Sequence, residues 1–159
     1  MMKWPDHIAP RISNEMFTIR DFLPTLAAIT GAKVPTDRAI DGVDQSAFLL
    51  GRQENSNRDS FLTFIGDRLV AVRWRQWRIY PVEFDSAKTN PATAGYVGTM
   101  KELAGYPQIF NIEADPKERL NVAHLNGWVL GPYMKIVAEY QQSLKKFPNP
   151  PAPTLTDFH

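Results

Sequence analysis

The imidazoles of the chain are His7, His124 and His159, and they lie far apart. None of the spacings that set two ligands on one helix face occurs among them. Each reads as a solvated or locally bonded side chain rather than a metal ligand or general base. Aspartates gather at Asp37, Asp41 and Asp44. A calcium loop needs oxygen ligands in fixed register, a glycine at its sharp turn and a closing glutamate. Asp41-Gly42-Val43-Asp44 lacks the third near ligand and the glutamate, so it reads as a turn held by aspartate side chains. Arg73, Arg75 and Arg78 interleave with Trp74 and Trp77, a pattern that also occurs on strands binding nucleic acid or sugar. The simpler reading is a hairpin with one packed and one solvated face. Gly95-Tyr96-Val97-Gly98 lacks the spacing and the lysine–hydroxyl pair of a phosphate loop, and no Gly-x-Ser-x-Gly elbow exists. Carboxylates such as Asp115 and Glu118 more naturally begin a turn or a short helix than form an acid–base pair. These residues supply no catalytic constellation, so no catalytic or metal-ligating residue is assigned and the substrate-binding residues are unknown.

Composition narrows the classes further. The chain has 159 residues, 43% hydrophobic and 22% charged, which suits one folded domain. Its 18 basic and 17 acidic residues leave a net charge of +1, with no positive field to hold nucleic acid or an anionic membrane. Cysteine is absent, which excludes disulfides, thiolate metal sites and a cysteine nucleophile within these residues. No apolar run approaches the roughly 20 residues that cross a bilayer. Met1-Met2-Lys3-Trp4-Pro5-Asp6-His7 has no apolar signal core, so the chain reads as cytoplasmic if complete.

The elements that would position side chains follow from periodicity. Residues 1–12, with Pro5 and Pro10, are expected to be irregular. Phe22, Leu23, Leu26 and Ile29 recur at helical spacing, with Thr18 and Asp21 placed as a capping box and Gly31 as the stop. Pro24 predicts an irregular first turn, or a helix that begins near it. Residues 32–60 are loop-rich, with one helical turn over 46–50, and Arg52 to Asp59 reads as polar and exposed. Strands are expected at 61–65, 69–74, 77–80 and 109–112, in an antiparallel meander. Period-2 spacing puts Val70, Val72 and Trp74 on one face, Ala71 and Arg73 on the other. Residues 85–106 show little periodicity and read as a long loop. Leu130, Tyr133, Met134, Val137, Tyr140, Leu144 and Phe147 predict a long terminal helix, and Lys145-Lys146 suit its negative end. The proline-rich tail over 148–159 is expected to be extended.

Four stretches, with a dipeptide ahead of the first, together resemble a known family. Asp21-Phe22-Leu23-Pro24-Thr25-Leu26-Ala27-Ala28-Ile29-Thr30-Gly31 is similar to a helix late in the large domain of type I sulfatases, the arylsulfatase family. Trp4-Pro5 resembles the Trp-Pro-Gly that precedes it there, with Asp6 for glycine. Ile40-Asp41-Gly42-Val43-Asp44 with Leu49-Leu50-Gly51, the hairpin 71–78, and Phe110-Asn111-Ile112-Glu113-Ala114-Asp115-Pro116-Lys117-Glu118-Arg119-Leu120-Asn121 resemble later family stretches, in family order.

The resemblance implies the C-terminal portion of such an enzyme. The expected fold is α+β, a small antiparallel sheet of about four strands packed against a long C-terminal helix. Residues 1–34 would be the tail of the large α/β domain (helix about 19–30), 35–147 the C-terminal subdomain, and 148–159 the extended tail. A full-length sulfatase would use calcium and a formylglycine made from the first residue of a Cys/Ser-x-Pro-x-Arg motif, and its compartment could be periplasmic or secreted. This chain departs from that pattern: it has no cysteine, and none of Ser13, Ser46, Ser56, Ser60, Ser86 and Ser143 has proline two residues on. No family catalytic residue carries over, and no cofactor is expected on these residues. The expected partner is the catalytic domain or another copy of the chain, as a homodimer. The rival reading is a stand-alone binding or assembly module with the Trp74/Trp77 hairpin and residues 85–106 as its contact surface.

Overall fold

The structure, a computed structural model, describes residues 2–84, 100–103 and 105–149. The expected α+β architecture is present. A 3₁₀ turn, Ile19–Asp21, leads into helix α1, Phe22–Thr30, and helix α2 is the short Ser46–Leu49. Strands β1 Ser60–Ile65, β2 Arg68–Trp74 and β3 Trp77–Tyr80 follow, then β4 Val82–Phe84, β5 Met100–Glu102 and β6 Gln108–Asn111. A 3₁₀ turn at Gly127–Val129 opens helix α3, Leu130–Lys146.

The first helix shows how the chain accommodates its proline. The Thr18–Asp21 box is present, with Asp21 Oδ2 accepting the Thr18 N–H at 2.9 Å and hydroxyl at 3.0 Å. The α-helix proper starts at Phe22, so Pro24 falls in its first turn. A backbone N–H there has no intrahelical partner, and its loss costs little. Gly31, at φ 75°, closes the helix in the left-handed conformation.

The main sheet has the order β1-β2-β3-β6, antiparallel throughout. Pairing aligns Leu62, Val72, Ile79 and Ile109 on one row and Trp74 with Trp77 beside it. Trp77, Ile79, Ile109, Ala123 and Val129 form the core, with Trp74, Val122, Leu130 and Tyr133 packed against it. Helix α3 covers this face; Tyr140 meets Phe64 with ring centroids 5.1 Å apart. The last strand lies one residue earlier than the expected 109–112, because Gln108 pairs with Tyr80 while the Ile112 N–H turns away to the Gln76 carbonyl.

Two expectations need correction. Residues 85–106 are not all loop: Met100–Glu102 is a strand, paired antiparallel with β4 in a separate ribbon. Three residues of mixed polarity carry no alternation of their own, so this strand is specified by its partner. Pro81 takes the chain out of the main sheet just before that ribbon. Residues 85–99, and nearly all of the expected tail over 148–159, lie outside the described residues. Ala71, expected opposite the packed face, is itself only 4% exposed. The second face is covered as well: the Arg20 guanidinium lies 4.7 Å from the Phe61 ring centre, and Glu118 is bound to both Arg78 and Tyr80.

Candidate functional site

The N-terminal segment is tied to the sheet through one buried carboxylate. Asp21 is fully buried. It accepts from Arg58 Nη2 at 2.6 Å and Nε at 2.9 Å, and from the Val43 N–H at 2.8 Å. Arg58 also donates to the Asp41 and Ser60 carbonyls. One ion pair thus joins α1, the Asp41–Val43 turn and the start of β1. Burial pushes the Asp21 pKa up, but the Arg58 donors, the Val43 and Thr18 amides and the Arg58 charge together outweigh it and hold the value at about 2. Gln45, also fully buried, extends the knot: its N–H donates to Thr25 Oγ1 and its Oε1 accepts the Asn57 N–H.

Gly42 lies where this turn touches the helix. A Cβ there would overlap the Arg20 carbonyl oxygen and lie 2.9 Å from Pro24 Cδ and Cγ. Asp41-Gly42 is therefore a close-approach site as well as a turn. Gly42→Ala should displace α1 and cost about 1–3 kcal/mol or more, since the obstacle is backbone, read as a lower urea midpoint.

Above this knot is a polar cleft of about 320 Å³. Its walls come from residues 14–16, 55–59, the β2–β3 turn at 73–76, and Glu113 after β6. Arg73 Nε donates to the Arg75 carbonyl at 3.1 Å, and the Arg75 N–H to the Asp59 carbonyl at 2.9 Å. Arg75 has φ 51°, the left-handed backbone a two-residue hairpin demands and a non-glycine residue rarely adopts. Glu15 accepts the Ser56 N–H at 2.6 Å.

The residues singled out from sequence fall as follows. His7 stacks on Trp4 at 4.1 Å, in a local turn. Asp41 pairs with Arg20 at 3.5 Å, and Asp44 Oδ1 accepts the Ser46 N–H. Neither aspartate is arranged for a cation, and among the described residues no group of three or more His, Asp or Glu could hold a metal. These residues do not fit the calcium that the family implies. Asp115 and Glu118 lie in a turn, one of the two forms expected for this stretch, and not in a helix. Asp115 Oδ2 accepts the Arg119 and Leu120 N–H groups, which lowers its pKa. Glu118, at φ 52°, receives Arg78 Nη1 at 2.8 Å and the Tyr80 hydroxyl at 2.6 Å. Burial, then Glu118, raises the Tyr80 pKa. Asn121 Oδ1 accepts the Ile109 and Ala123 N–H groups. The 110–121 stretch is thus a rigid turn stapled to the sheet. Trp77 is buried in the core and Trp74 half-buried against it, so the hairpin tryptophans do not form an open face. Trp128, expected nowhere, is 58% exposed and caps both at 5.7–5.9 Å. Arg58 and the Arg73/Arg75 cleft escaped the sequence reading, because their partners come from segments remote in the chain.

The fold and these stapled turns define an α+β region built on a small sheet and a terminal helix, with no nucleophile motif of its own. Comparison with known proteins gives the class. Residues 56–154 match the family model described as the C-terminal region of aryl-sulfatase, and the chain belongs to that family. It is 32% identical over 132 residues to steryl-sulfatase of Rattus norvegicus, covering 75% of this chain and 23% of that protein. It is 29% identical over 149 residues to arylsulfatase A of Homo sapiens, covering 90% of this chain and 28% of that one. The chain thus spans about a quarter of the length of these relatives. In fold it is similar to the PsFucS1 sulfatase from Pseudoalteromonas sp., with a TM-score of 0.67 and 24% identity over 80% of this chain and 26% of that one.

Proposed function

We propose that this region completes the fold of a sulfuric ester hydrolase and shapes the mouth of its substrate pocket, without hydrolysing sulfate esters by itself. The carrying observation is the exposed side of α1. Pro24, Thr25 and Ala27 are buried, while Ile19, Phe22, Leu23 and Leu26 are exposed at 84%, 39%, 51% and 53%. Four large apolar side chains on one short segment form a contact surface. The occupant that suits it is the large catalytic domain that the family resemblance implies; this chain covers only 23% and 28% of two relatives, which leaves room for one. The calcium and formylglycine chemistry belongs to that domain, since neither a fitting cation cluster among the described residues nor a Cys/Ser-x-Pro-x-Arg motif is found here.

The 159 residues alone should show no turnover of 4-nitrophenyl sulfate; full-strength turnover would sink the reading. Supplied in place of the matching quarter of a relative, they should restore a soluble, active enzyme. Without a catalytic domain, a second copy should cover the α1 face. Light scattering is expected to give a dimer for the wild type and a monomer for the pair Leu23→Glu, Leu26→Glu. A wild-type monomer at high concentration that binds no apolar dye would remove the contact surface from the argument. The binding-module alternative predicts a ligand lost on Trp77→Ala with the fold intact, which the burial of Trp77 disfavours.

A further inference from the structure

The main sheet ends on two unlike edges. At β6 the chain closes its own edge: the Ile109 N–H donates to Asn121 Oδ1 at 3.1 Å, and its carbonyl accepts the Val122 N–H at 2.8 Å. At β1 the pairing leaves an open row. The Arg75 N–H donates to the Asp59 carbonyl, so by antiparallel alternation Phe61 and Thr63 bond to β2. The N–H and C=O groups of Leu62 and Phe64 then point away from β2. The register shift after Thr63 leaves the extra residue, Val70, on β2, so β1 itself has no insertion. Among the described residues no backbone hydrogen bond reaches Leu62 or Phe64 from outside the sheet. Ser60–Ile65 carries neither charge nor proline, the usual guards of a solitary edge.

Helix α3 overhangs this edge. Its start packs on Trp77, Ile79 and Ile109 through Leu130 and Tyr133, and Tyr140 meets Phe64 on β1. The helix therefore crosses the sheet toward β1, and Leu144 lies about 6 Å further along its axis. A strand added beside β1 would stand about 4.8 Å out, beneath that turn. No residue of α3 is fully buried, and Phe147 at its end is 40% exposed. The helix thus has more apolar surface than four strands cover. The open row on β1 calls for another extended backbone, and the overhang calls for apolar side chains on its upper face. The start of β1 also adjoins α1: Arg20 lies over Phe61, and Arg58 joins Asp21 to the Ser60 carbonyl. A domain seated on the exposed Phe22, Leu23 and Leu26 is therefore a neighbour of this edge.

We propose that the catalytic domain supplies a fifth strand, paired with β1 through Leu62 and Phe64, whose apolar side chains lie beneath Leu144 and Phe147. Main-chain hydrogen bonds hold such an added strand, and alternate side chains select it. The proposal rests on the reading that a catalytic domain covers α1, and adds to it the backbone contact that fixes the two parts in register.

The test is amide hydrogen exchange resolved to single residues, on the 159-residue chain and on the chimaera in which it replaces the matching quarter of a relative. Phe61 and Thr63, bonded to β2, should be protected in both. Leu62 and Phe64 should exchange quickly in the chain alone and at least about 100-fold more slowly in the chimaera. Phe147→Glu should leave Phe61 and Thr63 protected in the chain alone, and should cut the Leu62 and Phe64 protection in the chimaera about tenfold. An active chimaera whose Leu62 and Phe64 amides exchange as they do in the chain alone would overturn this proposal and spare the reading of α1. A chimaera that does not assemble would remove both. Protection of Leu62 and Phe64 already in the chain alone would give the edge to the chain itself or to a second copy, and would also overturn the proposal.

Discussion

Asp21→Ala should unfold or nearly unfold the N-terminal third of this protein, at a cost of about 3–5 kcal/mol. The wild-type carboxylate is fully buried and meets an Arg58 side chain that is only 10% exposed. Removing one partner leaves the other charge buried without compensation. Two backbone donors, Thr18 N–H and Val43 N–H, are orphaned as well. Guanidinium denaturation read by circular dichroism gives the loss directly. Asp21→Asn keeps the shape and removes the charge, and should fall between wild type and Asp21→Ala. Adding Arg58→Met to Asp21→Asn should recover part of the loss, because the unpaired cation is then gone. Losses that simply add would show that the two side chains do not act as a pair.

The same pair fixes an acid limit. A carboxyl group at about 2 in the folded chain and about 3.9 when unfolded stabilises the folded state wherever it is ionised. That contribution, about 2.6 kcal/mol, is complete above roughly pH 5 and is lost as pH falls toward 2. The stability gap between wild type and Asp21→Asn should therefore narrow over that window and stay flat from pH 5 to 8. A gap that grows on acidification would contradict the assignment.

Much of this architecture is legible in the order of residues, and the reasons are local. Seven apolar residues from Leu130 to Phe147 repeat at helical spacing, so α3 declares itself, and so do the meander strands with their tight turns. The Asp21 capping box lies within one turn of chain. What is hidden is long-range. Arg58 sits in a stretch that reads as polar and exposed, yet its carboxylate partner is 37 positions away. Gln45 and Met16 are buried for the same reason, by segments that no local period connects to them. Met100–Glu102 becomes a strand only because β4 is there to pair with it. The cleft is the extreme case, since four separate segments each contribute a wall, and Arg73 and Arg75 look like an ordinary solvated face until those walls meet.

Trp77→Ala should be the second severe substitution, costing about 3–5 kcal/mol, and it decides what the aromatic hairpin is for. Trp77 is 7% exposed and belongs to the cluster with Ile79, Ile109, Ala123 and Val129. Its removal leaves a cavity under the end of α3, where Trp128 presses edge-on at 5.7 Å. Trp77 Nε1 has no hydrogen-bond partner among the described residues, so its indole N–H is desolvated without compensation. Trp77→Phe removes that unsatisfied donor along with some volume, and the two effects oppose each other. Its cost should be well below that of Trp77→Ala, about 1–2 kcal/mol. Trp128→Ala, at an exposed position, should cost about 0.5–1.5 kcal/mol, the worth of its edge contacts. Urea midpoints in the order wild type, Trp128→Ala, Trp77→Phe, Trp77→Ala identify Trp77 as a structural post beneath α3. A stable, folded Trp77→Ala would instead return the hairpin to the surface and reopen the binding-module reading.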